Sequence, residues 1–385
     1  MPRNARLTVL TFLESFATIL VEKAAYFYCH NRLGFSDAAN LSLALAFGAA
    51  YVVGAMSSGR LAGRIGERRT LLAAVGAQLG VFAAMGTWPV AAVIFAGSAA
   101  MGLLCGLKWP VIESYVSAGH TPAAAAKAVG RFNLSWASAV PLSLIVAGPL
   151  IAWRSWAMFV LGSAISAASV WLIASLPARP EHLPQDHPER PDPAAARRLG
   201  RLTTSARWLM LANYSTMWIL ATLLPGIFDR LGFGVSSGTA LSGLLDVARL
   251  SAFAVLGAWT AWHGRRVGLV RSMVLLPAGF LMVLFGGHVA VVLVGELLFG
   301  WAVGEVYYAA LYYAMVVQNA SVQAGGGHEG LIGLGFALGP IAGLIGVAAE
   351  PVAGGKMLGI LAVAGLLLAV CFVQAARSLL RVGRQ

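Results

Sequence analysis

The sequence predicts an all-α integral membrane protein with twelve transmembrane helices in two pseudo-symmetric six-helix bundles. Three observations lead to this fold class: the composition, the number of long apolar segments and a repeat between the two halves of the chain. Of the 385 residues, 59% are hydrophobic and 11% are charged, and the mean hydropathy is +0.78. Soluble domains carry about 25% charged residues, so this chain cannot cover a water-facing surface and suits a lipid bilayer.

Twelve apolar segments are long enough to cross a bilayer, which takes about 20 residues per helix. They lie near residues 7–29, 38–60, 70–88, 90–115, 130–153, 155–176, 207–229, 236–262, 268–286, 288–317, 330–350 and 355–376. The one long polar interruption, residues 177–201, is rich in proline and charge and is typical of a flexible linker. We therefore expect a first bundle over 1–176, a cytoplasmic linker over 177–206 and a second bundle over 207–385.

The basic residues are distributed unevenly over the two sides that these helices define. An even number of helices places both termini and the linker on one side, and 20 of the 27 Lys and Arg residues fall there. The other side has four: Arg32, Arg154, Arg230 and Lys356. The positive-inside rule then predicts cytoplasmic termini, in a bacterial-type inner (plasma) membrane. Because the net charge of +12 follows this topology, it does not indicate a nucleic-acid partner.

The two halves also resemble each other in sequence. The segment GLLCGLKWPVIESYV, which begins at Gly102, aligns with GWAVGEVYYAALYYA, which begins at Gly300, at an offset of 198 residues. Further along, GRFNLSWASAVP from Gly130 aligns with GLIGLGFALGP from Gly330. These are helices four and five against helices ten and eleven. Repeated halves are a known basis of alternating access in transporters.

The loop after helix two, residues 59–70, reads GRLAGRIGERRT and resembles the signature loop of the major facilitator superfamily. The resemblance implies a gating role for its matching residues, which are Gly59, Arg64, Gly66, Arg68 and Arg69, with Leu61. Gly63 stands where the family has an aspartate, so the family's usual salt bridge from this loop is not expected. A degenerate copy, GAWTAWHGRRVG, follows helix eight, where the family repeats the motif.

Other stretches resemble particular branches of this superfamily. IVAGPLIAW in helix five and ALGPIAGLIG in helix eleven resemble the Gly-Pro motif of exporters. GRFNLSW resembles nucleoside symporters, and RLGFSDAAN after helix one is similar to peptide–proton symporters. The family fold implies that helices one, four, seven and ten line a central cavity, while three, six, nine and twelve face lipid.

Ionisable residues within the predicted spans fall on the helices next to that cavity. Such residues are costly in a bilayer, so they are functional candidates by default. The candidate substrate- or proton-binding residues are Glu22, Lys23, Tyr26, Lys108, Glu113, Arg131, Asp246, Arg249, Glu305, Tyr308 and Tyr312. The repeat places Lys108 and Glu305 at one level, so we expect them to pair across the cavity. Asp246 and Arg249 are three residues apart on one helix face and are expected to neutralise each other.

Two interpretations of Glu22 and Lys23 remain open. Either they form an internal pair that stabilises the fold, or they provide a proton or substrate site. In the second case a conformational switch makes or breaks the contact with the cation, and proton affinity then differs between the inward- and outward-facing states. Glu296 lies on the opposite face of helix ten from Glu305, so we expect a structural role for it.

Two interpretations also remain open for the tyrosines of helix ten and for the His–Glu pair at the start of helix eleven. Tyr308 and Tyr312 share a helix face with Glu305, and they either line the cavity or pack in the bundle. His328 and Glu329, in GGGHEG, form either a gate or proton relay, or an ordinary helix start with an acidic residue in its first turn. The helix start is the favoured interpretation.

The sequence therefore predicts a secondary active transporter that moves a small organic solute by alternating access, coupled to protons, with export slightly favoured. The alternatives are a lipid or lipid-precursor flippase, a proton symporter for nucleoside- or peptide-like solutes, and a non-transporting sensor. Expected partners are the solute, protons and the lipid bilayer, and we expect a monomer. The sequence contains no phosphate-binding loop, metal triad or nucleophile–base set, and its three cysteines lack zinc or disulfide spacing. No enzyme activity, cofactor or metal is predicted.

Overall fold

The computed structural model describes residues 3–120, 122–154, 156–180, 193–317 and 322–382. Over these residues the protein is helical, with one 3-10 turn and no strand. The α-helices are α1 (Arg3–Val21), α2 (Lys23–Leu33), α3 (Asp37–Ile65), α4 (Glu67–Thr87), α5 (Ala91–Ser117), α6 (Pro122–Trp153), α7 (Ala157–Ala174), α8 (Pro193–Arg230), α9 (Val235–Ser242), α10 (Leu244–Ala258), α11 (Val267–Phe285), α12 (Val289–Val317), α13 (Val322–Ala348), α14 (Glu350–Ala353) and α15 (Lys356–Val382). Within the described chain, 11 helical segments are long and apolar enough to cross a membrane.

The first predicted transmembrane helix is divided into α1 and α2 by a single residue, Glu22. Its backbone stays right-handed, with φ −83° and ψ −59°, and its N–H still donates to the carbonyl oxygen of Thr18 at 2.7 Å. The two helices therefore form one continuous segment from Arg3 to Leu33. This segment adds a crossing to the 11 more apolar ones, which confirms the prediction of twelve transmembrane helices.

The predicted linker is partly helical. Helix α8 begins at Pro193, earlier than the predicted start at residue 207, so residues 193–206 belong to this helix. Its first turns read PAAARRLG, in which proline suits the first helical position and alanine, arginine and leucine are strong helix formers. Residues 181–192, the rest of the predicted linker, lie outside the described residues.

The packing of two glycines demonstrates the repeat between the halves. A Cβ added to Gly102 on α5 would lie 2.0 Å from the carbonyl oxygen of Phe47 on α3. A Cβ added to Gly300 on α12 would lie 2.0 Å from the carbonyl oxygen of Leu245 on α10. Both members of the second pair follow those of the first by 198 residues, the offset found in the sequence. Glycine permits the same close helix contact in each half.

The helix ends define two faces of the molecule. On one, the terminal face, Arg6 donates to the carbonyl oxygen of Ser175 at 2.8 Å, and Arg201 donates to that of Arg381 at 2.5 Å. This face therefore carries the first and last helical residues and both ends of the linker. The opposite face, the distal face, carries the connections that follow α2, α4, α6, α8, α11 and α13.

Helices α3 and α13 join the two halves over most of their length. Near the distal face, a Cβ on Gly343 would lie 2.5 Å from the side chain of Leu41, and toward the terminal face a Cβ on Gly330 would lie 3.2 Å from Met56. The small residues of α13 allow this approach, because a glycine leaves room for the facing side chain.

Helix α6 makes a second seam with α9 and α10. At its distal end, a Cβ on Gly148 would lie 2.2 Å from the hydroxyl of Thr239. At its terminal end, a Cβ on Gly130 would lie 3.8 Å from the Cα of Gly257. The halves thus touch near both faces, and the space between them is closed at each end of these seams.

Candidate functional site

A cavity of about 100 Å³ lies between the two halves. One buried water needs roughly 10–15 Å³ when volume is counted as the space open to the centre of a water-sized sphere. The cavity therefore has room for several waters or a small solute. Nine of the twenty residues that line it are aromatic and come from both halves, among them Tyr51, Trp136, Tyr214, Trp218, Tyr307 and Phe336. The rings of Trp218 and Phe336 stack with centroids 3.7 Å apart. The wall therefore offers apolar ring faces together with several hydroxyl and indole N–H groups.

Charged groups from the two halves meet at this cavity, in a group that we call the paired cluster: Lys23, Asp246 and Arg249. The Nζ of Lys23, in the first half, lies 2.6 Å from a carboxylate oxygen of Asp246 in the second half. The other oxygen of Asp246 lies 2.6 Å from Arg249, which confirms the expected pair on α10. Arg249 also lies over the ring of Trp136, 4.6 Å from its centroid. Lys23 and Arg249 both line the cavity.

Glu22 lines the same cavity but does not pair with Lys23. Its carboxylate accepts a hydrogen bond from the hydroxyl of Tyr26 at 3.2 Å, while Lys23 reaches α10 instead. The neighbouring carboxyl of Glu296, on α12, is buried and interacts electrostatically with Lys23 and Asp246. Three buried carboxyl groups thus share two cations, which leaves one negative charge in excess when all five groups are ionised.

A second group of ionisable side chains lies between the cavity and the terminal face. We call it the open cluster: Glu113 on α5 with His328 and Glu329 on α13. A carboxylate oxygen of Glu113, a carboxylate oxygen of Glu329 and a ring nitrogen of His328 lie within 4.8 Å of one another. All three residues are buried. Glu329 lines the cavity and accepts a hydrogen bond from Tyr51. The favoured interpretation of His328 and Glu329 as an ordinary helix start, with the acidic residue in its first turn, is wrong, because α13 begins earlier, at Val322.

The expected pair of Lys108 and Glu305 does not form. Lys108 is fully buried within the first half, where its Nζ lies 2.7 Å from Glu14 and donates to Thr18 at 2.8 Å. Glu305 points away from the cavity and binds Arg271 on α11 at 2.6 Å. Lys108 and Glu305 each form an ion pair within their own half. A buried charge is stable only when it is paired at short range.

Three further candidates also lie off the cavity wall. Tyr308 packs against Trp262, with centroids 5.5 Å apart, and Tyr312 stacks on His263 at 4.3 Å. Both therefore belong to the packing near the terminal face, and the tyrosine of α12 that lines the cavity is Tyr307. His263 lies in the loop between α10 and α11, and burial lowers the pKa of its imidazole. Arg131 is exposed, at the terminal end of α6.

The glycine-rich loop contacts the end of its own half. Gly66 adopts φ +90°, a conformation that favours glycine, and this turn lets Arg68 donate to the carbonyl oxygen of Leu176 at 3.0 Å. Arg64 and Arg69 are exposed. A Cβ on Gly59 would lie 3.8 Å from Gln323 in the other half. The loop therefore ties α3 and α4 to the end of α7, next to the seam between the halves.

The family model described as Major Facilitator Superfamily matches residues 7–344 of this chain. The chain belongs to the Major Facilitator Superfamily. No curated protein matches it in sequence. As a member of this superfamily it is a multi-pass membrane protein with a transporter fold, as the repeat and the loop indicated.

Solved transporters share this fold. The crystal structure of a nucleoside transporter, NupG, in a single-site mutant form, aligns with a TM-score of 0.71 at 13% identity, covering 98% of this superfamily member and 99% of that chain. Another NupG structure aligns with a TM-score of 0.67 at 13% identity, covering 98% of both chains. The human organic anion transporter MFSD10 (TETRAN) aligns with a TM-score of 0.66 at 16% identity, covering 97% and 100%. At these identities the likeness concerns the fold.

Sequence reasoning missed most of the aromatic wall. Tyr214 and Trp218 are four residues apart on α8 and share a helix face, with the polar residues Ser215 and Thr216 between them. That spacing is a usable signal, but it is a weak one in this chain. Aromatic residues also occur on the outside, where Trp171 is 76% exposed, so an aromatic residue alone does not distinguish the cavity from the lipid-facing surface.

Proposed function

We propose that this protein is a secondary active transporter for a small organic solute, that it works by alternating access, and that protons drive it. The observation that carries the proposal is the cavity between two pseudo-symmetric halves, lined by ionisable groups from both. Glu22 and Lys23 are each 6% exposed, and Arg249 is 4% exposed. Charged groups this deep in a membrane protein are costly, and a site that receives a polar solute accounts for them.

The wall of the cavity indicates the chemistry of the solute. Ring faces of Trp136, Trp218 and Phe336 suit a planar ring, because stacked and edge-on aromatic pairs are favourable. The cations Lys23 and Arg249 suit an anionic or hydrogen-bond-accepting group on that ring. A small heteroaromatic or aromatic solute with polar substituents therefore fits best. That MFSD10 is an organic anion transporter and NupG a nucleoside transporter is consistent with this class.

Proton coupling rests on the excess carboxyl group beside the paired cluster. The titratable or charged groups around Glu22 are Lys23 and Tyr26 on its own segment, Cys105 on α5, Asp246 and Arg249 on α10, Glu296 on α12, and Tyr51, Tyr214, Tyr307 and Glu329 around the cavity. A buried negative charge without a partner is unfavourable, so one proton neutralises the set of Glu22, Asp246 and Glu296. We assign the exchangeable proton to Glu22, since Glu22 lines the cavity, whereas Glu296 does not line it and Asp246 is held by two cations.

The paired cluster also supplies a reason for the proton to move during the cycle. Separating the halves on the distal side breaks the contact between Lys23 and Asp246, and it also breaks the ion pair of Lys356 with Asp37. Once released, Lys23 can pair with Glu22 instead and favour its ionised form. Proton affinity then differs between the closed and distal-open states, which is the condition for a gradient to drive conformational change.

The orientation follows from the charge distribution, with 20 of the 27 basic residues on the side of the termini and linker. We assign the terminal face to the cytoplasm of a bacterial-type inner membrane, and we propose a monomer. The Gly-Pro motifs in α6 and α13 favour export. A lipid flippase is a poorer fit, because the cavity lining includes the buried charged side chains of Glu22, Lys23 and Arg249, whereas a lipid tail requires an apolar path.

The second candidate, a proton symporter for nucleoside-like solutes, is favoured by the stacking surface and the structural likeness to NupG. It shares the site and the coupling residue with the first candidate. The two differ in substrate and in direction, so one assay can separate them.

The test is substrate-induced proton flux in liposomes that contain a pH-sensitive dye and the purified full-length chain. We expect flux with small aromatic acids, or with nucleosides for the second candidate, and loss of flux in Glu22→Gln. Glu350→Gln, at an exposed carboxylate on the distal face, is the control and should keep the flux. Solute movement at an unchanged rate without proton movement would contradict the coupling, and flux retained in Glu22→Gln would contradict its assignment.

A further inference from the structure

The open cluster has more hydrogen-bond acceptors than donors. Among the described residues, no hydroxyl, amide or cationic group donates to either oxygen of Glu113, and neither ring nitrogen of His328 has a hydrogen-bond partner. The carboxyl groups of Glu113 and Glu329 are close enough to hydrogen-bond to each other, which requires that one of them carry a proton. The donor present is the hydroxyl of Tyr51, which binds Glu329. Glu113 is 1% exposed and His328 is 0% exposed, so bulk water does not satisfy these atoms. Buried polar groups normally have partners. The open cluster is therefore a candidate site for a bound cation.

The nearest cation of the protein does not fill that role. Arg207 on α8 interacts electrostatically with His328, but in the part of the chain that the structure describes it forms no ion pair with Glu113 or Glu329, and its own Nε lacks a hydrogen-bond partner. Two buried carboxylates at this separation repel each other unless a proton or a metal cation lies between them. A shared proton would still leave both ring nitrogens of His328 without a partner, whereas a metal ion would satisfy all three side chains. The proposed transport mechanism does not use this cluster.

We propose that Glu113, His328 and Glu329 bind a divalent transition-metal ion of the zinc class between the two halves of the transporter. Two carboxylate oxygens and one imidazole nitrogen form a donor set that zinc and its neighbours accept. The two positive charges of the ion balance the two carboxylates, which removes the repulsion and satisfies the unpartnered atoms in one step. The imidazole favours a transition metal over Mg²⁺ or Ca²⁺, which prefer oxygen ligands alone.

The geometry is near that of a bound site. A tetrahedral ion with bonds of ~2.1 Å holds its ligand atoms ~3.4 Å apart, and the three donor atoms here lie within 4.8 Å of one another. Rotation of the two long glutamate side chains closes that difference without moving the helices. The hydrogen bond from Tyr51 orients Glu329, as outer partners commonly orient metal ligands. Glu329 also lines the cavity, so the proposed site borders the space between the two halves.

Such an ion would hold the halves together on the terminal side. Glu113 belongs to the first half, whereas His328 and Glu329 belong to the second, so the complete ligand set exists only while α5 and α13 are in contact. A ligand that binds one conformation stabilises that conformation. The ion therefore acts as a clamp that keeps the terminal face closed.

The first test measures binding by the purified full-length protein after removal of metal with EDTA. Titration with Co²⁺ alone, followed by visible absorption, and with Zn²⁺ alone, followed by calorimetry, should each give one equivalent per chain. His328→Gln and Glu329→Gln should weaken binding at least about tenfold, since even outer partners of metal sites cost 10–100-fold. The matched controls are Glu305→Gln, an equally buried carboxylate, and His30→Gln, a histidine on the distal side; both should bind as the unaltered protein does.

The second test measures the clamp. Nitroxide labels at Arg64→Cys and Gln323→Cys, in a chain whose own three cysteines are replaced by alanine, report the distance between the terminal ends of α3 and α13. Zn²⁺ should narrow the distance distribution in this chain and leave it unchanged when Glu329→Gln is added. Absence of a stoichiometric ion, or binding that survives His328→Gln, overturns the site. Binding with no change in the distance distribution overturns the clamp.

Discussion

The paired cluster and the open cluster both join the two halves, but they satisfy their charges differently. In the paired cluster, Asp246 holds Lys23 and Arg249, each at 2.6 Å. In the open cluster, Glu113 forms no ion pair and neither ring nitrogen of His328 has a hydrogen-bond partner among the described residues. In the paired cluster every charge has an ionic partner within the protein, whereas the open cluster has no cation of its own. Under the mechanism proposed above the two sides open in turn; the protein's own ion pairs would then hold the distal side closed, and the proposed metal ion would hold the terminal side closed.

The largest effect is expected for Asp246→Asn. It removes the carboxylate that binds both Lys23 and Arg249 at 2.6 Å, and breaking a buried pair from one side costs about 3–5 kcal/mol. We expect a large drop in the melting temperature of the purified protein, and partial recovery in the double variant Asp246→Asn/Lys23→Met, which removes one stranded cation. If Asp246→Asn melts like the unaltered protein, the paired cluster does not hold the halves together.

Lys108→Met provides a matched comparison within one half. It leaves the buried carboxylate of Glu14 without its cation. We expect the free energy of unfolding to fall by about 3–5 kcal/mol and to recover when Glu14→Gln is added. A pair of nitroxide labels, one on each half, distinguishes the two variants by the distance between the halves. Asp246→Asn should shift the distance distribution toward the distal-open state, while Lys108→Met should lower stability without such a shift. An equal shift in both would remove the distinction between inter-half and intra-half pairs.

Addition of Zn²⁺ should stabilise the metal-free protein through the open cluster. Binding to the folded state alone adds about 2.7 kcal/mol at a ligand concentration 100 times Kd, which corresponds to a clear rise in melting temperature. The rise should disappear in Glu113→Gln and persist in Asp246→Asn, because the paired cluster has no part in the site. A rise that persists in Glu113→Gln would place the ion elsewhere.

Tyr51→Phe should have a smaller effect, again on the open cluster. The change removes the hydroxyl that donates to Glu329, and leaving a buried acceptor unsatisfied costs about 1–3 kcal/mol. We expect a lower melting temperature in metal-free buffer and a smaller deficit once Zn²⁺ is bound, since the ion satisfies the carboxylate. A deficit that is the same with and without Zn²⁺ would show that Tyr51 acts on packing alone.

The smallest effect is expected for Trp136→Phe, on the paired cluster. A phenyl ring attracts Arg249 less than an indole does, and cation–π contacts are worth about 0.5–2 kcal/mol. The melting temperature should fall slightly, and the fall should vanish in an Arg249→Met background. An equal loss in both backgrounds would attribute the effect to the smaller ring and not to the cation.

The fold could be read from the sequence because membrane helices are determined by local properties. Segment length, hydropathy and the 198-residue offset predicted twelve helices in two matching halves, and the glycine contacts at Gly102 and Gly300 repeat that offset. The local pair of Asp246 and Arg249 was also predictable, because three residues along a helix return to the same face. What failed was the start of α8, where helix propensity extended the segment into the predicted linker.

The sequence by itself determined the membrane class, the number of crossings, the repeat and which helices carry charge. Only the tertiary structure decided the partners of those charges. It paired Lys23 with Asp246 and Lys108 with Glu14, and it brought Glu113 next to His328 and Glu329, which are more than 200 residues away in the chain. The physical reason is that hydropathy acts within each segment, whereas a buried ion pair depends on how helices rotate and pack against one another.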